Sequence, residues 1–140
     1  MASGLFLSDA LRDAANNSYE TTISTAPIMR IYSGSVPANE GASLGAATLL
    51  AEGTLPSDWL GASSGGVKSK SGTWTLTGQS GAGAGTDCTF FRIYASDGTT
   101  PHVQGTAGES ADTPDLVLDN KNIANAQVVT VSSFSFTQAN

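Results

Sequence analysis

From residue 28 onward the chain reads as short apolar and β-branched runs, each cut off by Gly, Pro, Ser or Asp-Gly before it can lengthen. Such runs bury a face only by pairing with one another, so the pattern commits most of the chain to β-structure. Strands are expected over 28–32, 48–55, 67–70, 72–77, 88–94, 102–104, 116–118 and 128–136. In 72–77, Trp74 and Leu76 share one face and Thr73, Thr75 and Thr77 the other, which points both large side chains into a core. No helical segments alternate with the strands, so a parallel α/β sheet is disfavoured. A sandwich, jelly roll or small barrel fits this spacing. The expected fold is mainly β, a jelly-roll-like antiparallel β-sandwich of about seven to eight short strands with one short N-terminal helix.

The last run carries a phase problem. Val129 and Val131 have one parity, Phe134 and Phe136 the other, and a regular strand cannot turn all four inward. A bulge at Ser132-Ser133 restores the phase. A second pattern joins 29–33 (Met-Arg-Ile-Tyr-Ser) to 91–95 (Phe-Arg-Ile-Tyr-Ala), with Arg and Tyr on one strand face and Ile on the other. Two central strands with a buried Ile face explain it, and an Arg lying over a Tyr ring suits such a face. Residues 78–85 (GQSGAGAG) read as a low-complexity loop with nothing to bury.

Residues 1–27 differ from the rest. Ser8 is a good N-cap followed by Asp9, and Leu7, Leu11 and Ala15 recur at intervals of four. A short amphipathic helix follows, ended by β-branched Thr21, Thr22 and Ile23 and then by Pro27. Its stripe is thin, so it must dock on the domain or on a partner. The chain therefore divides into an N-terminal helical arm, 1–27, and a β-sandwich domain, 28–140.

Single counts exclude much chemistry. Ala, Ser, Thr and Gly supply 69 of 140 residues, and six basic against twelve acidic side chains leave a net charge of −6. That balance repels phosphate backbones and disfavours nucleic-acid binding. One cysteine, Cys88, and one histidine, His102, make neither a disulfide framework nor a structural zinc site. No apolar run approaches the ~20 residues of a membrane span, and no basic region precedes the apolar patch at 5–7. Cytoplasmic synthesis is the expectation, without a cofactor.

The remaining motifs are weak. Gly61-Ala62-Ser63-Ser64-Gly65 matches the hydrolase G-x-S-x-G pattern, but that motif needs a strand-to-helix turn and no helical pattern follows Ser63. A hydrolase would pair Ser63 with His102 as base. Glu109, Asp112, Asp115 and Asp119 form an acidic segment that reads as a solvated loop, with calcium as the alternative. Asn16-Asn17-Ser18 is a formal glycosylation sequon inside the expected helix. Trp59, between Pro56 and a glycine-rich loop, either plugs the end of the sandwich or anchors a partner. Cys88 reads as a small buried residue.

Taken in order, the stretches 7–14 (LSDALRDA), 30–38 (RIYSGSVPA), 45–50, 55–59 (LPSDW), 62–66 (ASSGG), 91–94 (FRIY), Asp97-Gly98, Gln104-Gly105, Asp119-Asn120 and 128–134 resemble a family of small structural proteins of tailed bacteriophages, specifically the head cement, or decoration, proteins of Bordetella-phage-type capsids. The similarity covers about residues 5–137. It implies a non-enzymatic jelly-roll-like domain on the outside of an icosahedral head, where it binds the major capsid protein as a dimer and reinforces contacts between capsid subunits. The virion is then its destination. No family list of functional residues is carried across. The first 27 residues and the long loops are expected to meet the capsid or the dimer mate, with Leu7, Leu11, Tyr19 and Trp59 as candidate partner-binding residues. On that expectation, removing 1–20 leaves the β-domain folded. A tail or head-fibre component is the nearest alternative. From another class comes a carbohydrate-binding β-sandwich stacking sugars on Trp59, Trp74 or the tyrosines.

Overall fold

Ser8 caps the single α-helix, α1 (Asp9–Ile23), its side chain accepting from the Leu11 amide at 3.2 Å. In the computed structural model, which describes residues 4–139, eleven strands follow. They are β1 (Ile28–Ser33), β2 (Thr48–Thr54), β3 (Val67–Ser69), β4 (Thr75–Gly78), β5 (Thr86–Asp87), β6 (Phe90–Tyr94), β7 (Pro101–Gly108), β8 (Leu116–Leu118), β9 (Asn122–Ile123), β10 (Val128–Ser133) and β11 (Ser135–Thr137).

The mainly β expectation holds, but the sheet does not divide into two facing layers. Seven strands close into one barrel in the order β1-β2-β4-β10-β8-β7-β6, with β6 returning to β1. Among the described residues, only the β7–β8 pair is parallel. Closure needs strong local curvature, and the register slips at Ile31/Tyr32, at Ile93/Tyr94 and between Val131 and Ser133 supply it. The last of these lies at the bulge that the parity of 128–136 requires. There Ser132 and Ser133 are exposed, Val131 and Phe134 are buried, and the chain breaks step at Phe134 so that β11 pairs with β3.

The barrel encloses Met29, Ile31, Leu50, Leu76, Phe91, Ile93, Leu116, Leu118, Val129 and Val131, all in one buried cluster. Trp59, Trp74 and Phe134 close one end. Ring centroids there are 5.9 Å apart for Trp59 and Trp74, 5.6 Å for Trp74 and Phe134, and 5.6 Å for Phe134 and Phe91. Trp59 is thus the plug, fully buried with its indole N–H donating to the Ser24 carbonyl at 3.1 Å.

The two Arg-Ile-Tyr runs are neighbouring antiparallel strands in which Arg30 faces Arg92. Ile31 and Ile93 point into the barrel, as their alternation requires. The opposite face is covered as well, by residues 34–47 folded over it. Arg92 donates to the carbonyls of Asn39 and Ala42 and to Gln104 Oε1, while Gln104 donates to the Pro37 carbonyl. Tyr32 and Tyr94 join hydroxyls at 2.9 Å, and Arg30 lies 4.7 Å above the Tyr94 ring with Glu52 as its ion-pair partner. Burial pushes the Tyr32 phenol well above its usual range.

Residues 78–85 correct the sequence reading. Ala82, in a 3-10 turn at Ser80–Ala82, joins the core, and Gly78 is buried against the 124–127 turn. Backbone approaches closely at Gly78 and Gly81, whereas Gly83 and Gly85 take positive φ. Cys88 is buried, and burial pushes its thiol up to about 11.

Candidate interaction surface

The face by which α1 docks is not the one its leucines mark. Ala14 and Ala15 are exposed and Leu11 is 55% exposed, whereas Asn16 and Ile23 are buried and Arg12, Asp13, Tyr19 and Glu20 are half-buried. The contact is built mostly from polar groups. Ser64-Gly65-Gly66-Val67 forms a hairpin turn closed by reciprocal backbone bonds of 2.9 and 3.1 Å. Its two central residues have φ of 59° and 81°, which glycine adopts without strain. The turn meets the helix: the Gly66 amide donates to Asp13 Oδ1 at 2.8 Å, and Asn16 Nδ2 donates to the Gly66 carbonyl at 2.8 Å. Ser63 donates to Asp13 at 2.8 Å and accepts from Asn16 at 3.1 Å. One turn further on, Lys68 Nζ reaches Glu20, Asn17 and the Gly61 carbonyl, each at 2.8 Å.

This accounts for the G-x-S-x-G match. Ser63 precedes a hairpin, its hydroxyl faces a carboxylate and an amide, and His102 is not among its partners. His102 stands on β7 and lines a separate groove of about 520 Å³ with Tyr19, Ile23, Glu40, Val103 and Phe136.

Asp13 also makes the docking pH-dependent. The Gly66 amide, then the Ser63 hydroxyl, hold its carboxyl below the usual carboxylate range. A folded pKa below the unfolded value of about 4 means that this contribution is complete above pH ~4 and fades as pH falls through the folded value. Acidification should therefore loosen α1 before the barrel opens, read as faster hydrogen exchange over residues 9–23. Asp13→Asn should flatten that acid limb, and an unaltered limb in the variant contradicts the assignment.

The four candidate partner-binding residues separate. Trp59 is interior and offers a partner nothing. Tyr19 is half-buried, its ring 4.4 Å from Phe136 and its hydroxyl accepting from Gln138 at 2.7 Å, so it ties the helix to the barrel end. Leu7 is half-buried just ahead of the helix, and Leu11 projects outward. Leu5 at 54% and Phe6 at 75% exposure, which the periodicity did not single out, join Leu11 to put three large apolar side chains outward within residues 5–11. The helix is consequently no free arm. Its Ile23 is core, and its Asp13 and Asn16 bond the 63–66 turn.

All six basic side chains are engaged within the chain. Arg12 pairs with Asp9, Arg30 with Glu52, Lys68 with Glu20 and Lys121 with Asp112. Arg92 holds the covering loop, and Lys70 donates to the Gly72 carbonyl beside the Trp74 ring. The acidic segment is likewise tied down locally. Asp112 caps the Glu109 amide and binds Lys121, Asp115 accepts from the Thr106 amide, and Asp119 accepts from the Thr130 amide. Trp59 and Trp74 are both fully buried, so of the stacking platforms named for a carbohydrate-binding reading only the tyrosines are left. No protein-family model, curated protein or solved structure matches this chain.

Proposed function

We propose that the chain is a non-enzymatic virion structural protein that binds the outside of an icosahedral phage head and reinforces contacts between capsid subunits. The observation that carries this reading is the exposure of Leu5, Phe6 and Leu11, three large apolar side chains within seven residues of sequence, on a molecule whose Lys and Arg side chains all have partners within the chain. Large apolar side chains left exposed close together in sequence suit a contact site. A net charge of −6, with every Lys and Arg side chain partnered among the described residues, points to shape and apolar burial as the source of affinity. Such contacts are weak singly and become secure when many copies sit on one symmetric shell. The resemblance to phage head decoration proteins supplies the partner, the major capsid protein, and a dimeric arrangement. On this reading the closed barrel is a variant of the jelly-roll-like domain, made in the bacterial cytoplasm and destined for the virion.

The test is co-sedimentation with heads that lack the protein. Phe6→Ser with Leu11→Ser removes two anchors, each contributing about 1.5–3 kcal/mol when buried. Binding should weaken at least ~10-fold, with the melting temperature unchanged because neither side chain is in the core. Full occupancy by the variant contradicts the proposal.

A further inference from the structure

Lysine is almost never fully buried unless it is paired, and Lys68 is 1% exposed in the middle of β3. Its Nζ lies 2.8 Å from Oδ1 of Asn17 and 2.8 Å from Oε2 of Glu20. Asn17 and Glu20 are three apart on α1 and so share one helix face. Phe136, the register partner of Lys68 on β11, packs against Tyr19 of the same helix, so an aromatic pair stands beside the three groups. The Gly61 carbonyl, also at 2.8 Å, takes the third N–H of the ammonium. Here an amine, a side-chain amide and a proton carrier converge, with the amide carbon one bond beyond the oxygen that the amine touches.

We propose that Lys68 and Asn17 become joined by an intramolecular amide bond, formed by the chain itself with Glu20 as the proton carrier. An adjacent base frees a lysine amine to act as a nucleophile. Nζ attacks Cγ of Asn17, a new N–C bond forms, the Cγ–Nδ2 bond breaks, and the amide nitrogen departs as ammonia. Of the two protons that the ammonium gives up, one passes through Glu20 to the departing nitrogen. The other leaves with it as ammonium, and Glu20 ends as a carboxylate. Nothing is oxidised or reduced and no co-reactant is needed. The product ties α1 to β3 across about fifty residues of sequence, and this inference is independent of what the surface binds.

Intact-mass measurement on the purified full-length protein decides it. The expected mass is below the sequence mass by one ammonia, about 17 Da, with a proteolytic fragment that holds residues 17 and 68 together. Asn17→Ala and Glu20→Gln should each restore the full mass expected for their sequence and release the two peptides. A wild-type protein at full sequence mass overturns the proposal. So does a loss of ammonia that fragmentation places elsewhere, as in a succinimide at another asparagine. Cross-linking of undiminished yield in Glu20→Gln overturns the role given to Glu20.

Discussion

Trp59→Ala is expected to lower the unfolding free energy by about 3–5 kcal/mol, the range for removing a buried aromatic from a close-packed site. The indole has no exposed surface and packs against both Trp74 and Phe136, with centroids 5.9 and 6.4 Å away. Its N–H also satisfies the carbonyl of Ser24, the residue that ends α1 with a φ of 74°. The cavity therefore opens where the helix, the 56–61 connection and the barrel end meet. Urea denaturation of the variant should show the midpoint shifted with little change in slope. A loss below about 1 kcal/mol would mean that the barrel end is not packed as described.

Gly78→Ala should cost nearly as much, for the opposite reason. A Cβ at this position would lie 1.9 Å from the Ala124 carbonyl oxygen and 3.2 Å from the Gln127 nitrogen, both backbone atoms. The site is locked by bonds in two directions, from the Gly78 amide to the Gln127 carbonyl and from the Ala126 amide to the Gly78 carbonyl. Relief requires the end of β4 to part from the 124–127 turn, breaking bonds of the barrel wall. Overpacking typically costs about 1–3 kcal/mol, and a backbone clash this deep belongs at the upper end. Thermal unfolding checks it, and a melting temperature equal to wild type would contradict the close approach.

These two positions show which parts of the fold the sequence disclosed. Ser8 as N-cap, the alternation that buries Trp74 and Leu76, and the phase change at 131–133 depend on neighbours in the chain, and all were legible. The match between 29–33 and 91–95 revealed two like strands but not that they pair with Arg30 against Arg92, because pairing is a property of distant segments. Barrel closure was hidden for the same reason. The glycines at 78–85 were read as slack because composition does not distinguish a glycine needed for freedom from one needed for proximity. The docking face of α1 was missed because hydrophobic periodicity marks apolar stripes. Asp13, Asn16 and Glu20 attach the helix through a glycine turn and a buried lysine, which no periodicity records. Removing residues 1–20 should therefore damage the barrel end rather than release a bystander.

Of the candidate surface, Leu11 was legible as part of an apolar repeat, although for a face that turns outward. Leu5 and Phe6 were legible only as part of a short apolar patch, because they precede the cap and follow no period. Trp59 was ambiguous from sequence alone, since a tryptophan in a loop serves equally as plug or anchor, and its burial decides for the plug.

The most direct measurement of the central claim is quantitative mass spectrometry of purified mature phage particles assembled where this chain is made. The protein should be present in a fixed ratio to the main shell protein, the same from one preparation to the next, and should be lost selectively when Phe6 and Leu11 are replaced by serine. Particles that lack the chain, or that carry it only in the trace amount of a tail part, would contradict the account.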